Sequence, residues 1–159
     1  MRFDIVPVDA GNIEAAGHVH AVSWQASHRA FCAPDFIALH DPGHQTRYLR
    51  EKRSRGSRLF LLNLNGEAAG VVSVTGSLIE DLYILPHLQN RGLGTALLRH
   101  AIEHCDGTPT LWILDNNAGA ERLYRREGFT PTGRRSAIAD DLDEIEYTLN
   151  NGHRSHSKP

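Results

Sequence analysis

The stretch that decides the fold is residues 82–98, which read Leu82-Tyr83-Ile84-Leu85-Pro86-His87-Leu88-Gln89-Asn90-Arg91-Gly92-Leu93-Gly94-Thr95-Ala96-Leu97-Leu98. The mostly apolar run of residues 78–85 predicts a strand that ends at Pro86, because proline cannot donate a hydrogen bond to a neighbouring strand. Apolar residues then recur at helical spacing from Ala96 onward. The stretch therefore predicts a strand, a glycine-bearing loop and a helix.

The loop before this helix has the composition of an anion site. Gly92 and Gly94 allow positive φ and close backbone approach, and the first N–H groups of a helix have no acceptor within it. Aligned peptide dipoles add about half a positive charge there. A phosphate or pyrophosphate would thus be held by backbone amides, with Thr95 and Arg91 as further donors. The dinucleotide-binding glycine pattern does not fit, because it needs glycine where Leu97 stands. The P-loop does not fit either, because it needs lysine where Thr95 stands.

Three blocks of the chain match a known family pattern. Residues 89–94 fit Gln/Arg-x-x-Gly-x-Gly/Ala, between Leu-Tyr-Ile-x-Pro and Ala-Leu-Leu. Residues 117–129 look like Asn-x-x-Ala-x-x-Phe-Tyr-x-x-x-Gly-Phe, with Leu123 where phenylalanine is usual. Residues 22–35 are similar to Ser-Trp-Arg-Ala-x-Tyr-Arg-Gly-Leu followed by Pro-Asp, with His28 at the tyrosine position. The chain therefore resembles the GNAT superfamily of N-acetyltransferases, closest to its bacterial small-molecule subgroup, over most of residues 3–130.

The resemblance implies an α/β GNAT fold. In this fold a mixed central sheet of about six to seven strands splays at the acetyl-CoA site, and about four helices flank it. We expect one domain over residues 1–149, because 159 residues suit a single domain, and a disordered tail over residues 150–159. The apolar pattern also predicts a β-hairpin at Asn65-Gly66 and a closing antiparallel pair at residues 129–135 and 144–149.

The activity that the resemblance implies is transfer of the acetyl group of acetyl-CoA to a primary amine of a small molecule, by direct attack in a ternary complex. Pantetheine would fill the gap between the strand at 82–84 and the strand at 111–114. Two alternatives stay open: a protein or peptide N-terminal acetyltransferase, and a non-catalytic CoA-binding sensor module. The implied cofactor-binding residues are Leu82, Tyr83, Ile84, Gln89, Asn90, Arg91, Gly92, Leu93, Gly94, Thr95, Asn117 and Tyr124.

Acyl transfer to an amine needs a base, an oxyanion donor and a proton for the leaving thiolate. The resemblance implies Tyr124 as the proton donor and the backbone N–H near Leu82 or Tyr83 as the oxyanion donor. Leu78 stands where many relatives carry glutamate. Glu80, on the same side of a regular strand as Leu78 and Leu82, is therefore the candidate base, with His28 or a water chain as alternatives. Asp81 is expected on the other side, in a structural role.

Acceptor recognition is expected from the first helices, with Trp24, His28 and Arg29 on one wall. The acidic group at residues 140–144 would draw a cationic amine from the other wall. The basic run at residues 52–58 predicts a solvated helix end, the alternative being a contact with CoA phosphates.

Composition limits the remaining function classes. A net charge of -2 gives no attraction to nucleic acid, and no apolar run approaches the length of a membrane span. Without a signal segment, and with only Cys32 and Cys105 as cysteines, we expect a reduced, cytoplasmic setting. The 10 histidines lack metal-ligand spacing, so no metal is expected. Folds of this kind often dimerise, which leaves monomer and homodimer open.

Overall fold

The computed structural model describes residues 2–149, so the predicted tail at 150–159 lies outside the described residues. The strands within this range are β1 (Phe3–Pro7), β2 (Arg58–Leu64), β3 (Glu67–Thr75), β4 (Leu78–Ile84), β5 (Thr110–Leu114), β6 (Phe129–Ala139) and β7 (Leu142–Leu149). The α-helices are α1 (Ile13–His28), α2 (Pro34–Leu39), α3 (Pro42–Ser54), α4 (Leu93–Glu103) and α5 (Ala118–Arg126). The predicted fold class is confirmed: one seven-stranded sheet is flanked by four main helices, and α2 adds a single short one.

The strand order is β1-β2-β3-β4-β5-β7-β6. All neighbours are antiparallel except β4 and β5, which are parallel and are connected through α4. A parallel pair requires such a crossover, because a tight hairpin can join only antiparallel strands. The predicted hairpin is present between β2 and β3, where Asn65 and Gly66 have φ values of 52° and 85°. Both positive values fit the turn that matches strand twist.

Two apolar cores lie on opposite faces of the sheet. The α4-side core packs α4 and α5 against the sheet and contains Leu97, Leu111, Tyr124, Phe129 and Tyr147 among others. The α1-side core packs α1 and α3 against β2 and β3 and includes Ile13, Val19, Leu49, Leu61 and Val71. Residues of one strand alternate between the two cores, which fixes the face to which each side chain of β4 points.

Helices α1 and α3 approach each other closely on the α1-side face. A Cβ added at Gly17 would lie 1.9 Å from Oγ1 of Thr46, so only glycine fits there. Asp41 is the N-cap residue of α3, and its side chain accepts a hydrogen bond from the backbone N–H of His44 over 2.8 Å. These contacts fix the N-terminal half of α3 against α1.

Candidate active site

β4 and β5 diverge directly after their first residue pair. Leu78 faces Thr110, and within the described strands no later residue of β4 has a partner on β5. β5 itself stays paired with β7 along its whole length, from Thr110 to Leu114. A gap therefore opens beside Leu82–Ile84, where the family resemblance implies the pantetheine arm of acetyl-CoA.

A β-bulge interrupts β4 between Glu80 and Tyr83. These two residues pair with Ser73 and Val71 of β3, so two residues of β4 lie opposite one residue of β3. The extra residue is accommodated at Asp81, whose φ is 57°. Over this short segment the described register gives β4 a partner on neither side. The bulge thus places backbone without a strand partner at the gap.

The bulge also changes the side-chain directions along β4. The prediction that Glu80 and Leu82 share one side of the strand, with Asp81 on the other, is wrong. Leu82 packs against the α4-side core, whereas Tyr83 packs against the α1-side core. Lys52 of α3 contacts the carboxylates of both Glu80 and Asp81. Regular alternation fails here because the extra residue rotates the strand.

The loop between β4 and α4 has the backbone conformation of an anion site. A short 3-10 turn, Pro86–Leu88, follows β4, and Gln89 Nε2 donates to the carbonyl of Ile84 over 3.2 Å. Asn90 and Gly92 have φ values of 64° and 82°, and Gly92 is the N-cap residue of α4. This part of the loop is exposed. The first turn of α4 therefore presents free N–H groups to solvent, as an anion site requires.

The two glycines of the loop have different roles. Gly92 uses the positive φ that glycine permits, whereas Gly94 lies inside the first turn of α4. A Cβ at Gly94 would lie 3.7 Å from Leu123 and 3.8 Å from Ile84, so this residue lies between α5 and β4. Arg126 of α5 donates to the Thr95 hydroxyl over 3.5 Å. A guanidinium thus adds positive charge beside the start of α4.

Asn117 and Tyr124 lie on α5. Asn117 is the N-cap residue, and its side chain accepts a hydrogen bond from the backbone N–H of Ala120 over 3.1 Å. Tyr124 is 8% exposed, and its ring centroid lies 5.9 Å from that of Phe129. Burial raises the pKa of Tyr124, and no side chain within residues 2–149 hydrogen-bonds its hydroxyl. A neutral phenol with an uncommitted hydroxyl has the chemistry of a proton donor.

Asp81 is the centre of a hydrogen-bond network between α1, α3 and β4. Its carboxylate accepts from His20 Nε2 at 2.8 Å, Lys52 Nζ at 2.7 Å, Ser73 Oγ at 2.9 Å and Tyr48 Oη at 3.1 Å. Burial acts to raise the pKa of Asp81, but the hydrogen bond from His20 and the charge of Lys52 hold that pKa well below its usual range. Asp81 is therefore an ionised anchor with little tendency to accept a proton.

Glu80 of β4 and Glu144 of β7 are two carboxylates near the end of the sheet where β4 and β5 separate. The Glu80 side chain is 44% exposed and pairs with Lys52 at 2.7 Å. Glu144 is partly buried opposite Leu114 and has neither an ion pair nor a hydrogen bond to its side chain within the described chain. Burial and the negative charge of Glu80 raise the pKa of Glu144. Lys52 pairs with Glu80 but not with Glu144, so the Glu144 carboxylate adds negative charge that no described cation offsets.

Trp24 and His28, two of the residues predicted to bind the acceptor, belong to an aromatic stack. The Trp24 ring is stacked between His28 at 3.9 Å and His40 at 3.7 Å, so both of its faces are covered. His28 Nδ1 lies 2.8 Å from the carbonyl of Trp24, and burial lowers the pKa of His28. Arg29 follows the last turn of α1 as an exposed residue. The sequence prediction missed His40, whose only signal was its place at the end of α2.

Two further properties of the described chain bear on function. Among residues 2–149, no group of three or more His, Cys, Asp or Glu side chains is arranged to hold a metal ion. None of the described helices has the length and apolar character that a membrane crossing requires.

Sequence comparison shows which known proteins this chain is similar to. The profile of the Acetyltransferase (GNAT) family matches residues 24–129. A peptidyl-lysine N-acetyltransferase, YjaB of Salmonella typhimurium, is 32% identical over 84 residues, which cover 53% of this chain and 56% of that protein. A streptothricin acetyltransferase of Streptomyces lavendulae is 33% identical over 99 residues, which cover 55% of this chain and 52% of that protein. The chain therefore spans about half the length of these relatives.

Solved structures show the same fold. The PaiA N-acetyltransferase of Thermoplasma acidophilum, crystallised in complex with coenzyme A, superposes with a TM-score of 0.72 at 15% sequence identity. The superposition covers 94% of this chain and 100% of that one.

Proposed function

The chain belongs to the GNAT acetyltransferase family, and we propose that it transfers the acetyl group of acetyl-CoA to a primary amine of a small molecule by direct attack in a ternary complex. The observation that carries this proposal is the gap between β4 and β5 together with the anion site at the start of α4. The gap accommodates an extended thioester arm, and the anion site binds a pyrophosphate. The Thermoplasma relative of the same fold was crystallised with coenzyme A, which supports this assignment.

In this proposal acetyl-CoA extends from the loop before α4, which holds its pyrophosphate, into the gap between β4 and β5, which holds its thioester arm. The pyrophosphate meets the backbone N–H groups at Arg91–Thr95, and Gln89 and Asn90 shape the loop before them. The pantetheine amides pair with the backbone of Leu82–Ile84, which faces no partner on β5. Asn117 and Tyr124 of α5 border the other side of the arm.

Glu80 is the proposed general base. An alkyl ammonium with a pKa of about 10.4 is less than about 0.1% neutral near pH 7, so the enzyme must remove a proton before attack. Glu80 is exposed enough to reach an amine or a bridging water. Asp81 is committed to four donors, and the His28 ring is stacked on Trp24.

The amine nitrogen then attacks the thioester carbonyl carbon. The oxyanion that forms accepts a hydrogen bond from the backbone N–H at Leu82, which lies in the bulge. The attacking nitrogen loses its second proton from the tetrahedral intermediate as the carbon–sulfur bond breaks, and Tyr124 donates its phenolic proton to the leaving thiolate. The proton released by the nitrogen restores the Tyr124 phenol through solvent. Burial raises the pKa of Tyr124 and so keeps the phenol protonated until the thiolate forms.

The acceptor is proposed to be cationic. Glu144 of β7, which lacks a cationic partner within the described chain, lies opposite Leu114 at the end of β5 and would attract an ammonium group. A second candidate, a peptidyl-lysine acceptor, is favoured by the similarity to the Salmonella enzyme. Both acceptors carry a primary ammonium group, so the two candidates differ in what surrounds that group.

The experiment that tests the proposal is acetyl-CoA turnover with thiol detection. The panel contains aminoglycoside and streptothricin-type amines, polyamines, amino acids, a lysine peptide and a peptide with a free N-terminus. Calorimetric CoA binding is the control.

Amine-dependent thiol release that a small molecule supports and both peptides do not would establish the proposal. Thiol release with the lysine peptide alone would favour the second candidate, a peptidyl-lysine acceptor. Thiol release with the N-terminal peptide alone would favour a peptide N-terminal acetyltransferase. CoA binding without release on any amine would show a non-catalytic module, and no CoA binding would refute all of these readings.

A further inference from the structure

Lys52 belongs in sequence to the basic run at residues 52–58, but its side chain points inward while its arginine neighbours are exposed. Gln45, Leu49 and Lys52 follow the i, i+4, i+7 spacing of one helix face, and the first two are buried. The Lys52 side chain is 16% exposed and points toward β4. Arg53 and Arg55, in the same stretch, are exposed. Lys52 is therefore neither a solvated helix end nor a phosphate ligand.

The ammonium of Lys52 has no proton left for a substrate. It donates to Ser73 Oγ at 2.9 Å, to Glu80 Oε1 at 2.7 Å and to Asp81 Oδ2 at 2.7 Å. An ammonium has three N–H donors, so all of them are used. Burial acts to lower the pKa of Lys52, but Asp81 raises it above its usual range, so the group stays charged. Any effect on the reaction must pass through these partners.

Two of these partners are held rigidly. Ser73 is buried, and Asp81 is fixed by His20, whose other ring nitrogen lies 2.9 Å from Gln45 Nε2. Glu80 differs, because within the described chain Lys52 is the only partner that pairs or hydrogen-bonds with its side chain. The position of the Glu80 carboxylate therefore depends on Lys52.

We propose that Lys52 is a positioning residue for acetyl transfer, whose ammonium holds the Glu80 carboxylate at the gap beside the β4 bulge. The inference rests on the proposed function, in which Glu80 is the base. Without this ammonium, two adjacent carboxylates share no cation, and their repulsion turns the more exposed Glu80 away from the bulge. A misplacement of about 1 Å is enough to slow a reaction strongly.

The test measures kcat and KM for both substrates in four forms of the full chain: wild type, Lys52→Met, Lys52→Arg and Arg53→Met. Lys52→Met is expected to lower kcat by about tenfold or more while KM for acetyl-CoA changes less than about twofold. Lys52→Arg restores most of kcat because it keeps the cation. Arg53→Met, which removes an exposed charge one residue away, leaves both constants unchanged.

A double-variant cycle separates positioning from general damage. In a Glu80→Gln background, Lys52→Met should cause little further loss, because the group it positions is already gone. The same loss in both backgrounds, or no loss in either, would overturn the inference. Thermal unfolding reports the folded fraction, and if Lys52→Met does not fold, Lys52→Gln replaces it.

A crystal structure of the lysine variant tests the inference without any turnover. Displacement of the Glu80 carboxylate by about 1 Å or more supports positioning, and an unchanged carboxylate refutes it. This readout still decides the role of Lys52 if wild type releases no thiol on any amine, which is the result that refutes the proposed function.

Discussion

Nε2 of His20 lies 2.8 Å from Oδ1 of Asp81, and the two side chains are only 2% and 10% exposed. This contact joins α1 to the bulge of β4, where Asp81 has a positive φ of 57°. An aspartate adopts that conformation at a modest cost, which local hydrogen bonds offset. The buried carboxylate therefore stabilises both the packing of α1 and the shape of the bulge.

Asp81→Asn should lower the free energy of unfolding at neutral pH. It should also reduce the dependence of that free energy on pH in the acid range. The folded pKa of Asp81 lies below its ordinary 3.8. The unfolded chain therefore binds this proton more tightly, and the stabilisation is complete above about pH 4 and is lost as pH falls. Removing one partner of a buried pair costs about 3 kcal/mol near neutral pH. Denaturant unfolding from about pH 3 to 7 measures both effects.

Asp35→Asn is the matched control, because Asp35 is an exposed residue in the first turn of α2. Its unfolding free energy should follow that of wild type at every pH. If the free energy of unfolding falls with pH equally steeply in Asp81→Asn and in wild type below about pH 4, Asp81 is not an ionised anchor of the fold.

Gly92→Ala should weaken CoA binding. At a φ of 82°, alanine costs about 1–2 kcal/mol, and the loop relaxes until the ligand forces it back. We expect the Kd of CoA to rise about tenfold, measured by calorimetry. Gly56→Ala places the same residue at a φ of 101° after α3, with no atom near the new Cβ. It should lower thermal stability and leave CoA affinity unchanged, and a similar loss of affinity in both variants would argue against the anion site.

The parts of the molecule that local sequence determines could be predicted. Pro86 ends β4, Asn65-Gly66 forms the hairpin, and Gly92 begins α4, because each effect depends on the backbone of a few residues. The bulge at Asp81 could not be predicted, because it depends on how β4 pairs with β3 across the sheet. The face of Glu80 relative to Leu82 was therefore predicted wrongly.

The role of Lys52 was missed for a related reason. Five basic or polar neighbours within residues 53–58 suggest a solvent-exposed position for Lys52. The signal that its side chain points inward is its helical spacing from Leu49 and Gln45. The stacking of Trp24 between His28 and His40 likewise depends on the packing of α2 against α1, which no local pattern reveals.

Tyr124→Phe should lower kcat by about 100-fold and leave the Kd of CoA nearly unchanged, because only the thiolate that leaves in the reaction needs its proton. Burial raises the pKa of Tyr124, so the wild-type rate should show no loss from this group up to about pH 10. Steady-state kinetics across pH test both statements. Tyr147→Phe is the control: its buried hydroxyl bonds to Glu121 at 2.7 Å, so the variant loses stability and keeps kcat.

Glu144→Gln should raise KM for the acceptor amine by about tenfold at low salt, with kcat and KM for acetyl-CoA nearly unchanged. Glu144 has no cation to neutralise it within the described chain, and nearby Glu80 adds to the negative charge that an ammonium meets. Asp143→Asn is the matched control, since Asp143 already pairs with Arg135 at 3.0 Å. Salt should reduce the difference between wild type and Glu144→Gln, because screening weakens the attraction of exposed charges. If Asp143→Asn raises the acceptor KM as much as Glu144→Gln does, the overall negative charge of this region selects the amine, and Glu144 has no specific role.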